Sequence, residues 1–328
     1  MTSITIGIDI SKHKFDAHLI GNDNFKQQKT FTNDDAGFKE LSAIIPSGSE
    51  VSVAIEATGC YGENLVRYLH SCNVKVFVLN PAQVKYYAKS MMLRTKTDKV
   101  DAKVICNFLQ LHQESLPVWQ PKTVQLEELQ GLYRYLTDIK EERIRTFGRL
   151  EACSNSNAAG KKISLSYYEA HLKYLDAELK SATAKALEIV SNCAILRKQY
   201  ELLLSISGIG EQTALGILAE LPDIELFANA KQLAAYAGLN PAIKESGSSV
   251  KGRGSISRVG SKPLRSLLYM PAISALRFNP IIKSFGERLK EKNKNGKVIV
   301  VAAMRKLLHM IYGVLKSGKP FDSEVSTT

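Results

Sequence analysis

Isoleucines at positions 4, 6, 8 and 10 alternate with Thr5, Gly7 and Asp9. A period of two sends successive side chains to opposite faces of a β-strand, so residues 3–11 read as a strand with an isoleucine face and Asp9 on the other. The small neighbours of Asp9 leave that second face open. The pattern returns at residues 50–58, where Val51, Val53 and Ile55 alternate with Ser52, Ala54 and Glu56. Again one acid ends the small-residue face of a strand. A further pair, Asp98 and Asp101, stands three apart in residues 97–109, a run that reads as helix, so both project from one side of it. Thr97 is placed to cap that helix, with both acids in its first turn.

Each acid has a plain explanation by itself, as the start of a turn or as capping chemistry. Together, four carboxylates supply the oxygen ligands that Mg²⁺ or Mn²⁺ prefers, and a pair of such ions can clamp the attacking and leaving oxygens of a phosphodiester. Lys85, Lys89, Arg94, Lys96, Lys99 and Lys103 surround the second pair of acids. They suggest a phosphate-facing surface, against the plainer reading of a solvated helix face.

The chain of 328 residues carries a formal charge of +12, which favours a polyanionic partner and gives length enough for two or three domains. An anionic membrane is the other polyanion, but the apolar run at residues 298–304 falls well short of the roughly 18 residues of a spanning segment. The N-terminus opens on a strand pattern without an apolar signal core, which points to a cytoplasmic protein. Five cysteines, at 60, 72, 106, 153 and 193, lack metal-site spacing and suit a reducing compartment.

Along residues 4–113 the order is strand, strand, strand, helix, strand, helix, strand, then helices. Three strands ahead of the first helix imply an antiparallel meander followed by crossover units, hence a mixed sheet flanked by helices. Pro117 and Pro121 end this part. Residues 124–204 read as helical. Leu172, Leu175, Leu179, Ala182, Ala186 and Ile189 form the seam of a coiled coil or helical hairpin, matched by Leu126, Leu129, Tyr133 and Leu136. The bend between the arms falls at residues 154–162. The expected division is therefore 1–120, 121–204 and 205–328.

The last part opens with Ile206-Ser207-Gly208-Ile209-Gly210 before a helical run. Gly208 and Gly210 permit a tight hairpin between helices, and the amides at the next helix N-terminus can hold a phosphate. This resembles a helix-hairpin-helix, with a packing-only helical turn as the alternative. Beyond it, a Ser/Gly-rich loop contains Ser246, Ser248, Ser249, Lys251, Arg253 and Arg258, followed by Lys262 and Arg265. Between Lys244 and Lys306 there are fifteen Lys/Arg against three acids, an excess equal to that of the whole chain. Such cations can stabilise the charge that develops when a serine attacks phosphorus. No histidine lies nearby in sequence to serve that serine as a base.

With these pieces assembled, the chain resembles the DEDD transposases of bacterial insertion sequences, bridge-RNA-guided recombinases related to the Piv DNA invertases. The likeness rests on Gly7-Ile8-Asp9-Ile10-Ser11-Lys12, Ile55-Glu56-Ala57-Thr58-Gly59, Asn80-Pro81 and residues 95–102, Thr-Lys-Thr-Asp-Lys-Val-Asp-Ala. Later matches are Gly208 to Gly210, Gly238 to Pro241, Ser246-Gly247 and Ile256-Ser257-Arg258. The chain departs from the pattern at Val259-Gly260-Ser261, where relatives often have a basic Gly-Asn stretch.

The resemblance implies a RuvC-like, ribonuclease-H-type α/β domain at the N-terminus, with Asp9, Glu56, Asp98 and Asp101 as metal ligands. It also implies a mainly helical C-terminal transposase domain whose serine joins covalently to DNA. Ser246 is the best match for that serine, being followed by glycine; Ser248 and Ser249 are its neighbours. DNA, a bridge RNA and further copies of the chain, as a homodimer or homotetramer, are the implied partners. The competing readings are a metal-dependent, structure-specific nuclease, in which water attacks, and a non-catalytic nucleic-acid-binding scaffold.

Overall fold

The computed structural model describes residues 3–22, 25–46, 48–57, 59–92, 97–156, 160–242, 245–246, 250–251, 255–257 and 259–322, with backbone alone at 245, 246, 250, 251 and 255. It divides into two compact units, Met1–Pro121 and Lys122–Thr328.

In the first unit, strands β1 (Ser3–Ile10), β2 (Lys14–Gly21) and β3 (Lys26–Thr32) form the expected antiparallel meander. Helix α1 (Asp35–Ala43) leads to β4 (Glu50–Glu56), and α2 (Glu63–Ser71) leads to β5 (Lys75–Leu79). β4 lies parallel to β1 and β5 parallel to β4, giving a mixed sheet in the order β3-β2-β1-β4-β5. The four isoleucines of β1 share one face with Phe15, Leu19, Val53 and Ile55, all packed with Phe38, Leu41, Leu65 and Leu69. That apolar layer holds α1 and α2 against the sheet.

The opposite face corrects one expectation. It is not open: α3 (Pro81–Ser90) and α4 (Asp98–His112) belong to its apolar layer, where Val84, Val104, Ile105, Phe108 and Leu109 cluster with Ala54, Phe77 and Leu79. Small residues on the strand face serve to admit a helix backbone. Asn80 and Pro81 acquire a local reason here, since Asn80 Oδ1 accepts from the Ala82 amide at 2.9 Å and Pro81 occupies the first helical turn.

In the second unit, α5 (Val124–Ser154) and α6 (Lys161–Asn192) form an antiparallel pair of long helices. Leu129, Leu136, Leu175, Ala182, Ala186 and Val190 are buried. Except for Leu175, these residues join the cluster that runs on into α7 (Ala194–Leu204) and α8 (Glu211–Glu220). After α9 (Ala230–Tyr236), β6 (Pro241–Ala242) pairs with β9 (Ser255–Ile256), and between them β7 (Glu245–Ser246) pairs with β8 (Val250–Lys251). The chain then continues through α10 (Lys262–Leu267), α11 (Tyr269–Phe278), α12 (Pro280–Glu291) and α13 (Gly296–Ser317).

Helix α13 corrects a second expectation. The apolar stretch is not confined to residues 298–304, and α13 is long and apolar enough to cross a membrane by length and composition. Its apolar character has another cause: Ala303, Met304, Leu307, Leu308, Ile311 and Val314 form a buried stripe in the core of the helical unit.

Candidate metal centre and nucleic-acid surface

The parallel register of β1 and β4 runs through Gly7 opposite Ala54 and Ile8 opposite Ile55. Asp9 and Glu56 are the next residues on each strand, so two acids stand at one level, Asp9 one residue before the end of β1 and Glu56 at the end of β4. Helix α4 brings the other pair. A Cβ built on Gly7 would stand 2.2 Å from the Cys106 amide nitrogen and 2.3 Å from the Ala102 carbonyl oxygen, so the helix backbone lies directly on β1. Cys106 Sγ donates to the Thr5 carbonyl at 3.4 Å along the same contact. Thr97 caps α4 by accepting from the Val100 amide at 3.3 Å, which fixes Asp98 and Asp101 in its first turn.

The charges feel one another. Asp9 is pushed up from the usual carboxylate value of 3.8 to about 6, first by burial and then by the negative charges of Asp101, Asp98, Glu56 and Asp16. The three other acids predicted from sequence therefore act on the Asp9 carboxyl, together with a fourth that the sequence reading missed. Asp16 sits opposite Asp9 in the β1/β2 register, is buried, and accepts from Thr30 Oγ1 at 2.5 Å. Its signal was present: Phe15, Ala17 and Leu19 alternate with Asp16 and His18 in β2. His18 is held below the usual imidazole range by burial and by the Lys26 and Lys103 charges, so it adds no positive charge near neutrality.

A cation reaches the cluster from β2. Lys14 Nζ donates to Asp98 Oδ2 at 2.9 Å and lies 3.8 Å from Asp16 Oδ2. Its ammonium is stabilised above the ordinary lysine range, first by the Asp98 hydrogen bond and then by the charges of Asp98 and Asp16. Among the described residues, no three acids, histidines or cysteines are drawn together as a closed metal cage. The donor chemistry nevertheless fits a hard divalent cation: all four predicted ligands offer carboxylate oxygens, and the repulsion that Asp101, Asp98 and Glu56 exert on Asp9 is what such an ion would relieve. Lys85, Lys89, Lys99 and Lys103 are exposed around the same unit, while Arg94 and Lys96 lie outside the described residues.

In the helical unit, Ser205 to Gly210 connect α7 to α8. Gly208 takes a φ of +109° and packs so closely on Ala275 that a Cβ would stand 2.8 Å from that methyl group. Gly210 is the N-cap of α8, with open space where a Cβ would be and no side-chain cap on the helix amides. Asn279, fully buried, was not anticipated from sequence. Its Nδ2 donates to the Ser207 carbonyl at 3.2 Å, and its Oδ1 accepts from the Ile282 amide at 3.2 Å, tying the connection to α12.

Ser246 lies in β7 opposite Val250 of β8. Lys251 follows on β8, whereas Ser248, Ser249, Arg253 and Arg258 lie outside the described residues. Past the loop, the Ser261 amide donates to the Tyr236 carbonyl at 2.7 Å, and its hydroxyl accepts from the Leu264 amide at 3.3 Å. Lys262 is exposed, but Arg265 is partly committed to structure, donating to the Ala237 carbonyl at 2.9 Å.

A family model described as a transposase matches residues 6–154, and one described as the transposase IS116/IS110/IS902 family matches residues 200–287. The pilin gene-inverting proteins of Moraxella bovis and Moraxella lacunata are each 35% identical to this chain over 331 residues, covering 99% of both partners. The transposase for insertion sequence element IS1111A of Coxiella burnetii is 28% identical, over 83% of this chain and 78% of its own length. Fold, acid cluster and these likenesses together define an enzyme that rearranges DNA. The chain belongs to the IS116/IS110/IS902 family of transposases.

Proposed function

We propose that this protein cuts and rejoins DNA at a mobile or invertible element, with Asp9, Glu56, Asp98 and Asp101 holding Mg²⁺ or Mn²⁺ and Ser246 attacking the phosphodiester. The observation that carries this reading is the convergence of four acidic charges on a partly buried Asp9, whose carboxyl is pushed up to about 6 first by burial and then by those charges. A divalent ion held there would neutralise charge on the phosphate oxygens as the phosphodiester is exchanged.

The rest of the chemistry belongs to the chain. Ser246 Oγ forms a bond to phosphorus as the bond to the leaving DNA oxygen breaks, and the serine proton passes to a base while the leaving oxygen takes one up. The serine-DNA ester keeps the phosphate activated, so a DNA hydroxyl can later displace serine and restore both groups. The exposed lysines near α4 and the cations following Ser246 neutralise phosphates and position the strands. Connection 205–210 offers the open amides at the start of α8 to a phosphate in the manner of a helix-hairpin-helix. A bridge RNA choosing the sites by base pairing, and assembly of the chain as a homodimer or homotetramer, complete the proposal.

The test is cleavage of element-end DNA by protein copurified with its RNA. Expected products carry protein joined to DNA, are lost in Ser246→Ala, and require Mg²⁺ or Mn²⁺. An adduct that survives unchanged in Ser246→Ala removes that assignment. Metal-dependent cleavage leaving protein-free ends in the wild type would instead make this a nuclease that uses water.

A further inference from the structure

We infer that Lys14 is a resident counter-cation of the carboxylate centre and competes with a divalent ion for Asp98. This rests on the proposal that Asp98 is a metal ligand, and extends it to a residue outside the ligand set.

The geometry is specific. Lys14 opens β2, and its carbonyl accepts from both the Ser11 amide at 2.9 Å and the Ser11 hydroxyl at 2.8 Å. These bonds fix where its side chain starts, a few residues after Asp9. From there the ammonium spans to Asp98 at 2.9 Å, across 84 positions of sequence, with Asp16 at 3.8 Å. One cation thus joins the strand half of the acid cluster to the first turn of α4.

The surrounding charge gives the pair its purpose. Asp101, Asp98, Glu56 and Asp16 all repel negative charge on Asp9, and His18 on the same face is held below the usual imidazole range by burial and by the Lys26 and Lys103 charges. Lys29 and Lys75 form ion pairs elsewhere, with Glu40 and Glu50. Lys14 therefore lowers the cost of gathering the acids while the chain holds no metal.

The same pair is easily exchanged. The Lys14 and Asp98 side chains are 52% and 58% exposed, and ion pairs this open contribute little to stability. A hard divalent ion carries twice the charge and binds several carboxylate oxygens at once. Binding it frees the Lys14 ammonium.

The test is a Mn²⁺ titration of the full chain, with free ion read by electron paramagnetic resonance, for wild type, Lys14→Gln and Lys14→Arg. Lys14→Gln is expected to bind Mn²⁺ roughly two- to fivefold more tightly, the scale of one exposed ion pair, and Lys14→Arg to stay near wild type. Equal or weaker binding by Lys14→Gln overturns the inference while leaving the metal site standing. Absence of Mn²⁺ binding in wild type and Lys14→Gln alike overturns the metal site and the inference with it. A second measurement needs no variant. Amine labelling of wild-type Lys14, followed by mass spectrometry, should quicken when Mg²⁺ is added and the ammonium is released; an unchanged rate counts against the competition.

Discussion

A methyl group on Gly7 would stand 2.2 Å from the backbone nitrogen of Cys106, so β1 and α4 touch backbone to backbone at this point. Backbone atoms cannot move aside like a flexible side chain. Gly7→Ala should push α4 off the sheet and cost roughly 1–3 kcal/mol, read as a lower urea midpoint. Because α4 carries Asp98 and Asp101, metal-dependent cleavage should fall further than stability, on the order of a hundredfold for a displacement near 1 Å. Wild-type cleavage by a folded Gly7→Ala protein would mean that the placement of α4 does not matter to the chemistry.

Asp9 gives a prediction of opposite sign. Its folded pKa of about 6 lies above the ordinary 3.8, so the native chain retains a proton that the unfolded chain has lost between roughly pH 4 and 6. Stability of the metal-free protein should therefore decrease as pH rises through that window, with the penalty complete above it. Asp9→Asn removes the charge. At pH 7.5 in chelator it should be more stable than wild type by roughly 1 kcal/mol, a figure reduced for the partly open site. The gain should vanish near pH 4, and Mn²⁺ binding should weaken. Equal or lower thermal stability of Asp9→Asn at pH 7.5 would contradict the charge crowding.

Much of this first unit could be read directly. The isoleucine alternation, the meander, the acid near the end of each of β1 and β4, and the Thr97 cap are local patterns in which neighbours decide the outcome. The occupant of the small-residue face could not be read, because Gly7 and Cys106 are 99 positions apart and a glycine signals either open space or close approach. Asp16 was visible as an alternation but resembled any polar residue of a half-buried strand. The Lys14–Asp98 pair depends on α4 returning to the start of β2 and has no local signature at all. In the helical unit the stripes of α5 and α6 were legible, whereas the tether from Asn279 to Ser207 joins positions 72 apart.

The cysteines test the α4 packing without mutation. Cys106 is fully buried and its thiol is pushed up to about 12 by that burial, whereas Cys60 and Cys72 are exposed. Iodoacetamide at pH 8.5 reacts with thiolate. Mass spectrometry should find Cys60 and Cys72 modified early and Cys106 modified only when urea opens the unit. Labelling of Cys106 at the rate of Cys72 in native buffer would be incompatible with α4 lying on β1.

Asn279 separates the structural and nucleic-acid roles of connection 205–210. Its side chain makes two bonds in opposite senses, accepting from the Ile282 amide to cap α12 and donating to the Ser207 carbonyl. Asn279→Ala loses both and should cost roughly 1–3 kcal/mol, the sum of a cap and one hydrogen bond to the Ser207 carbonyl. Asn279→Asp keeps an acceptor for the cap but presents a carboxylate to the Ser207 carbonyl, so its damage should centre on the connection. If that connection holds DNA phosphate, Asn279→Asp should weaken DNA binding in a salt titration while leaving Mn²⁺ affinity unchanged. DNA affinity equal to wild type in a folded Asn279→Asp protein would assign the Gly208 region to helix packing alone.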